Sequence, residues 1–133
     1  PEVAFADLAT NADLAEALLK YVFKEILNTC EQDLAFFPDR IDKNCINRLQ
    51  NLIESPFVRM EYTEAIIALE KCNKPFEFPV KWGVDLHSEH ERYLTEVLLG
   101  KPVILMNYPK EVKAFYMRLN EDNKTVAAMD VLT

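Results

Sequence analysis

Glycine is scarce in this chain of 133 residues, which contains only Gly83 and Gly100. A phosphate-binding loop of the Walker or Rossmann type needs several closely spaced glycines, because backbone amides must approach the phosphates without intervening side chains. The sequence contains no such loop. Any nucleotide that binds here must therefore be held by side chains and by a sheet.

Cysteine pairs, basic clusters and long apolar runs are also missing. Cys30, Cys45 and Cys72 show no CxxC spacing, which favours free thiols over a disulfide framework or a zinc site. The 15 lysines and arginines are scattered among 22 acidic residues, so no basic stripe predicts an autonomous nucleic-acid surface. No apolar run approaches the roughly 18 residues of a membrane span, and no secretory segment is visible. We therefore expect a cytoplasmic protein.

The remaining composition is that of one globular domain. Hydrophobic residues make up 50% of the chain and charged residues 28%. The chain begins with Pro1 and ends at Thr133 directly after an apolar run, so we expect it to be a piece of a longer protein. Thr10–Asp13 predicts the start of an amphipathic helix that continues to Leu27. Alternation over residues 57–62 predicts a half-buried strand.

Several chemically active side chains follow one another near the middle of the chain. They are Asp85, His87, Ser88, Glu89, His90 and Glu91. Ser88 and Glu91 fit a capping box at the start of a helix that Gly100 ends. The two histidines are three residues apart, whereas a zincin helix places them four apart, so the pattern favours a helix start over a metal site. A nucleophilic serine on a sharp strand-to-helix turn needs glycines on either side, and Ser88 has none.

The last third of the chain predicts a β-hairpin with a further strand beside it. Two strand-like runs, Ala114–Leu119 and Thr125–Leu132, flank a polar cluster centred near Asp122. In such a hairpin, Tyr116 and Asp130 become diagonal neighbours on one face, roughly 7 to 8 Å apart.

Asp130 is the main chemical anomaly of this segment. It interrupts the apolar run from Val126 to Leu132, which we expect to be buried on both faces. A carboxylate there costs several kcal/mol unless it is hydrogen-bonded, paired or bound to a metal. Two interpretations stay open: a structural ion pair with Lys113 or Arg118, or a ligand site.

Four ordered stretches carry a more specific pattern: Asp85–Glu96, Tyr108–Lys110, Lys113–Asn120 and Lys124–Leu132. Together they closely resemble the asparaginyl-tRNA synthetases, especially the bacterial-type members. The resemblance extends over essentially the whole chain, since Pro1–Phe5 resembles the tail of the second class II signature, motif 2. It implies that residues 1–133 are a partial class II catalytic domain, from the end of motif 2 to before motif 3.

The resemblance implies an α+β fold in which helices flank an antiparallel β-sheet. It also implies a ligase that activates asparagine with ATP and Mg²⁺ to asparaginyl-adenylate and transfers the asparaginyl group to tRNA(Asn). A homodimer without membrane contact is expected. This chemistry relies on positioning and charge stabilisation and needs no protein nucleophile, so we assign no catalytic residue. Because the motif 2 and motif 3 arginines lie outside the chain, we expect the isolated segment to be inactive.

The same resemblance implies roles for four residues. Asp130 matches an acidic position that binds ATP through Mg²⁺, and a hard dication prefers such carboxylate oxygens. Tyr116 matches an aromatic residue of the amino-acid pocket. Ser88 and Glu89 match a loop near that pocket, where a carboxylate would bind the substrate ammonium group.

Two departures from the family pattern leave alternatives open. Asn123 stands where the family's hairpin usually has glycine, although asparagine tolerates the left-handed conformation. His87 stands where smaller or amide side chains are usual, which leaves the choice between asparagine and aspartate open. The alternatives are a paralogue that adenylates aspartate or asparagine without charging tRNA, and a non-catalytic interaction module on the same fold.

Overall fold

The computed structural model describes residues 3–133 and divides the chain into two compact units, Pro1–Phe57 and Val58–Thr133. The sequence of Pro1–Phe5 also predicts the end of a strand, and this segment lies partly outside the described residues. Within them, Ala4 and Phe5 form a turn, and Phe5 has a left-handed φ of 60°. Among the described helices, none is both long enough and apolar enough to cross a membrane.

The first unit is helical in its described residues. It contains α1 (Leu8–Thr29), α2 (Glu31–Arg40) and α3 (Cys45–Glu54), which contact one another. The predicted amphipathic helix is confirmed, but it begins earlier than expected. Asp7 is its N-cap, and Asp7 Oδ1 accepts a hydrogen bond of 2.7 Å from the backbone N–H of Thr10. That acceptor satisfies one of the first-turn N–H groups, which have no partner within the helix.

The second unit is built around a three-stranded sheet of β1 (Val58–Glu61), β2 (Val103–Pro109) and β3 (Thr125–Leu132), with β2 in the centre. β1 runs parallel to β2, and β3 runs antiparallel to it. The predicted α+β class is confirmed, but the sheet is mixed and not purely antiparallel. The parallel pair arises because helices lie between β1 and β2 in sequence, and a parallel pair needs such a crossover.

Helices cover one face of this sheet. After β1 come α4 (Tyr62–Lys71), α5 (Ser88–Arg92) and a π-helical segment, Tyr93–Leu99, which ends at Gly100 with a left-handed φ of 60°. The buried cluster between helices and sheet consists of Tyr62, Ala65, Ile66, Leu69, Leu94, Val103, Leu105, Tyr108 and Leu132. Because alternate strand residues point to opposite faces, this cluster fixes which face of β3 turns inward.

The predicted strand Ala114–Leu119 is wrong. The segment forms a turn, closed by a 3.1 Å hydrogen bond from Met117 N–H to Ala114 O, and only Leu119 makes a β-bridge, with Val126. β3 pairs along most of its length with β2, whose residues 103–105 are fully buried. An apolar strand buried on both faces belongs in the middle of a sheet, which is the position of β2. Val126 pairs with Tyr108 of β2 and also forms the bridge with Leu119, so β2 and the short remainder of the predicted hairpin lie on opposite edges of β3.

An ordered loop connects α4 to α5. The hydroxyl of Tyr62 donates a hydrogen bond of 2.5 Å to Val84 O and accepts one of 3.2 Å from Gly83 N–H. Trp82 Nε1 donates to Thr63 Oγ1 at 3.0 Å, and its ring packs edge-on against Tyr62. The loop therefore holds a defined position against α4.

Candidate functional site

Asp130 lies on the inward face of β3, but it is not buried. Its cross-strand partner is Leu105, which is fully buried, and its neighbours on the same face, Ala128 and Leu132, are also buried. The Asp130 side chain nevertheless keeps 43% of its surface exposed, and its Oδ2 lies 2.6 Å from Lys113 Nζ. The expectation that Asp130 is a buried carboxylate on a strand covered on both faces is wrong. The ion pair with Lys113 is confirmed.

The Lys113 ammonium also lies over an aromatic ring. Its Nζ is 3.9 Å from the ring centroid of Tyr108, which is almost completely buried. Burial raises the pKa of the Tyr108 phenol, and the negative charge of Asp130 and a hydrogen bond with it raise that pKa further. The phenol therefore stays protonated, and its ring face is available for a cation–π interaction with Lys113.

Glu91 belongs to the same site. Burial raises the pKa of its carboxyl group, the charges of Asp130 and Asp85 raise it further, and the charge of Lys113 lowers it. We call the five residues Asp85, Glu91, Tyr108, Lys113 and Asp130 the Asp130 cluster. Its members come from three separate parts of the second unit.

The sequence predicts Glu91 only as a capping residue and does not predict its place near Asp130. A signal was present in the helical spacing. Leu94 and Thr95 lie three and four residues after Glu91, both are buried, and positions so spaced share one helix face. Glu91 therefore lies on the helix face that turns toward the core, and the apolar Leu94 is the residue of that face that the sequence alone could have indicated.

The donor set of the Asp130 cluster suits a hard cation but does not enclose one. Within residues 3–133, no group of three or more His, Cys, Asp and Glu side chains is arranged to hold a metal. Mg²⁺ keeps most of its water ligands and typically takes one or two protein carboxylates together with phosphate oxygens. The half-exposed carboxylate of Asp130 fits one such position.

Glu89 lies in a different environment. Its two carboxylate oxygens accept hydrogen bonds from the backbone N–H groups of Glu77, at 3.1 Å, and Phe78, at 2.8 Å. The hydrogen bond from Phe78 is the largest cause that holds the pKa of Glu89 below its usual value. Glu89 thereby ties the loop around Phe78 to the first turn of α5.

The predicted capping box of Ser88 and Glu91 is wrong. His87 is the N-cap, and its backbone N–H donates to Nδ1 of His90 at 3.1 Å. Nε2 of His90 lies 3.3 Å from Phe78 O, so the buried imidazole accepts at Nδ1 and donates at Nε2. Both ring nitrogens thus have protein partners. Ser88 is the first residue of α5 and is exposed.

His87 packs on the same loop. Its ring stacks on the ring of Phe78, with the centroids 3.7 Å apart and the planes 12° from parallel. The departure from the family pattern at His87 therefore has a structural explanation, since the stacked pair covers the loop that Glu89 holds.

Tyr116 does not lie diagonally to Asp130 on a neighbouring strand, because its segment is a turn. Its side chain is 73% exposed, and the neighbouring Phe115 is 99% exposed. Their rings are 5.6 Å apart in an edge-to-face arrangement. The turn follows Lys113 directly, so the two aromatic rings stand at the solvent side of the segment that supplies the ion pair with Asp130.

The fold and the sequence together define a class of protein. Residues 1–133 match the family model described as tRNA synthetases class II (D, K and N) over the whole chain. The chain therefore belongs to the class II tRNA synthetases of this group.

Individual relatives narrow the similarity. The asparagine–tRNA ligases of Psychromonas ingrahamii and Pseudoalteromonas atlantica are each 64% identical to this chain over 132 residues, which are 99% of it. The resemblance to asparaginyl-tRNA synthetases is thus confirmed. The chain spans 28% of the length of these relatives.

Solved structures agree. The asparaginyl-tRNA synthetase of Pyrococcus horikoshii complexed with asparaginyl-adenylate aligns with a TM-score of 0.77 at 32% identity, covering 98% of this chain and 28% of that one. The Entamoeba histolytica asparaginyl-tRNA synthetase, also in complex with asparaginyl-adenylate, aligns with a TM-score of 0.71 at 25% identity, covering 96% of this chain and 28% of that one.

Proposed function

We propose that this chain is the central part of the catalytic domain of an asparagine–tRNA ligase, from the end of motif 2 to before motif 3. The parent enzyme activates asparagine with ATP and Mg²⁺ to asparaginyl-adenylate and transfers the asparaginyl group to tRNA(Asn). The family match over residues 1–133 supports this proposal. The observation that carries it in the structure is a carboxylate, Asp130, that stays accessible on the inward face of a sheet.

Asp130 is the proposed ligand of Mg²⁺ and, through it, of ATP. Its carboxylate oxygens are hard donors, and nearly half of the side chain surface is open to solvent. A bound Mg²⁺ neutralises charge on the triphosphate. The contribution of this chain is to hold the carboxylate at a fixed position on β3, with Leu105 behind it and Lys113 beside it.

Tyr116 and Ser88 are the proposed substrate-binding residues, and Glu89, which the resemblance also assigns to substrate, has a different part. Tyr116 is exposed close in sequence to Lys113, which suits a residue that contacts a small ligand. Ser88 is exposed at the first position of α5. Glu89 already accepts two backbone N–H groups, so its part is better explained as holding the loop at Phe78 than as binding the substrate ammonium directly.

The proposed parent acts in the cytoplasm as a homodimer and binds tRNA(Asn) mainly through parts outside these 133 residues. The chain itself carries a formal net charge of -7, which disfavours a broad contact with RNA phosphates. The isolated chain is expected to be inactive, because adenylate formation needs the opposing arginine clamps as well as the metal ligand.

The first test is exchange of pyrophosphate into ATP by the full-length polypeptide. We expect exchange that depends on asparagine, that aspartate does not support, and that stops without Mg²⁺. Charging of tRNA(Asn) then separates the ligase from a paralogue that only forms the adenylate. Exchange with neither amino acid, from a folded and dimeric protein, would leave an interaction module and contradict the proposal.

A further inference from the structure

Lys113 occupies a position built for a cation. Its Nζ lies 2.6 Å from Asp130 Oδ2 and 3.9 Å from the centroid of the Tyr108 ring, and only 18% of its side chain is exposed. Lysine side chains are mostly exposed in folded proteins because the ammonium group is strongly hydrated. The carboxylate of Asp130 and the ring of Tyr108 together hold this ammonium group in a largely buried position.

The charges around Lys113 explain why it stays there. The negative charges of Asp85, Glu91 and Asp130 each raise the pKa of the Tyr108 phenol. Lys113 acts in the opposite direction, since its charge lowers the pKa of Glu91. The ammonium group is therefore the counter-ion of Asp130, which it contacts at 2.6 Å, in a region where Glu91 and Asp85 add further negative charge.

A metal ion at Asp130 and the ammonium group of Lys113 compete for the same carboxylate. The hydrogen bond from Nζ occupies Oδ2, and a dication close to that oxygen would also repel the ammonium charge. We propose that Lys113 is the resident cation of the Asp130 cluster, and that a divalent metal reaches Asp130 only by displacing this ammonium group. This inference rests on the proposed role of Asp130 as a metal ligand.

Competition of this kind makes Lys113 a residue that sets the metal affinity of the site. Without the lysine, the carboxylates near Asp130 remain and their competing cation is gone. Divalent binding should then become about tenfold tighter, the change expected from removing one charge-assisted hydrogen bond to the ligand. A lysine whose part is to contact the phosphates of ATP would give the opposite result, namely weaker nucleotide binding and unchanged metal binding.

The test measures Mn²⁺ binding to the full-length polypeptide without nucleotide, from the electron paramagnetic resonance signal of free Mn²⁺. Lys113→Met should bind Mn²⁺ about tenfold tighter than the wild type. Lys113→Arg keeps the positive charge and should not bind it tighter. Lys110→Met is the matched control, since Lys110 lies in the same segment and its Nζ donates to Asn123 O at 3.0 Å. It should leave Mn²⁺ binding unchanged.

Asp130→Asn separates the two levels of the proposal. If this variant binds Mn²⁺ as the wild type does, Asp130 is not a metal ligand and the proposed function loses its site. If Asp130→Asn weakens Mn²⁺ binding but Lys113→Met leaves it unchanged or weaker, only the competition by Lys113 is overturned. Where the methionine variant lowers the thermal midpoint, Lys113→Gln replaces it: glutamine keeps a neutral hydrogen bond to Asp130 but removes the positive charge, so Mn²⁺ should again bind tighter than in the wild type.

Discussion

Asp130 and Glu89 are two carboxylates that were both expected to bind ligands, and the structure satisfies them in different ways. Asp130 is paired with a side-chain ammonium group and keeps 43% of its side-chain surface exposed. Glu89 accepts two backbone N–H groups from the loop at Glu77 and Phe78. The partner of Asp130 can swing away on a flexible side chain, whereas the partners of Glu89 are part of the backbone.

The difference separates an exchangeable carboxylate from a structural one. A lysine can leave Asp130 by rotating its side chain, so another cation can take its place. The amides at Phe78 can leave Glu89 only if the loop moves, and Tyr62 and Trp82 anchor that loop to α4. We therefore expect ligand chemistry at Asp130 and loop stability at Glu89.

The largest expected effect is on the exchangeable carboxylate. Asp130→Asn in the full-length polypeptide should lower asparagine-dependent pyrophosphate exchange by about a hundredfold or more, because loss of a metal ligand removes several kcal/mol of charge stabilisation. The matched control is Glu111→Gln, which removes an exposed negative charge near Lys113 in sequence and should leave the rate unchanged. A rate equal to the wild type in Asp130→Asn would make Asp130 a purely structural partner of Lys113.

The second prediction tests the anchor of the loop that binds Glu89. Tyr62→Phe removes the hydroxyl that joins Gly83 N–H and Val84 O, and leaves both groups without this partner. The free energy of unfolding should fall by about 1–3 kcal/mol, the usual cost of an unpaired buried polar group. Urea unfolding of the chain can be followed by the fluorescence of Trp82, its one tryptophan. Tyr21→Phe changes an exposed tyrosine and should have almost no effect.

Local signals predicted much of this fold. The turn near Asp122 is present, and Asn123 adopts the left-handed conformation, with φ of 58°, that an asparagine tolerates. The start of α1 was displaced by less than a turn, and Lys113 was named as one of two candidate partners for Asp130. Each of these features depends on residues that are close in sequence or on one compatible charge.

Features that depend on distant residues were missed. The sequence predicts a strand beside the hairpin, but the pattern of Ala114–Leu119 gives no sign that this segment turns away from β3 and that only Leu119 forms a bridge with it. Glu89 binds amides 11 and 12 residues away, in a loop whose course is set by Tyr62. The periodicity of apolar residues in the sequence cannot predict such a contact, because it indicates only which face of a helix or strand is buried.

The third prediction concerns the structural carboxylate. Glu89→Gln offers one acceptor oxygen where the wild type has two, so the amides of Glu77 and Phe78 should exchange their hydrogens about tenfold faster. Because the pKa of Glu89 is lowered in the fold, this protection is present above the usual glutamate pKa and is lost as the pH falls through the lowered value. Hydrogen exchange of the full-length polypeptide measures both effects.

The control for Glu89 is Glu96→Gln, which removes an exposed partner of Arg92 from the same helical region and should leave the exchange at Phe78 unchanged. The prediction would be contradicted if Glu89→Gln left the hydrogen exchange of Glu77 and Phe78 unchanged and weakened the binding of asparagine. Glu89 would then be a ligand of the substrate ammonium group, and it would no longer differ from Asp130 in kind.

The smallest effect is expected at Glu91, which belongs to the Asp130 cluster but has no ammonium bonded to it as Asp130 has. Its pKa is raised in the fold, first by burial and then by the charge of Asp130. The folded state therefore favours the protonated form, and the resulting stabilisation is fully present below the usual glutamate pKa and is lost as the pH rises through the raised value. Glu91→Gln, which stays neutral, should be more stable than the wild type at neutral pH by about a few tenths of a kcal/mol, since solvent still screens a partly exposed group. Urea unfolding at about pH 4 and pH 7 should show this gain only at the higher pH. A gain that is equal at both values would mean that packing, and not the ionised carboxylate of Glu91 in its partly buried position near Asp130, sets the difference.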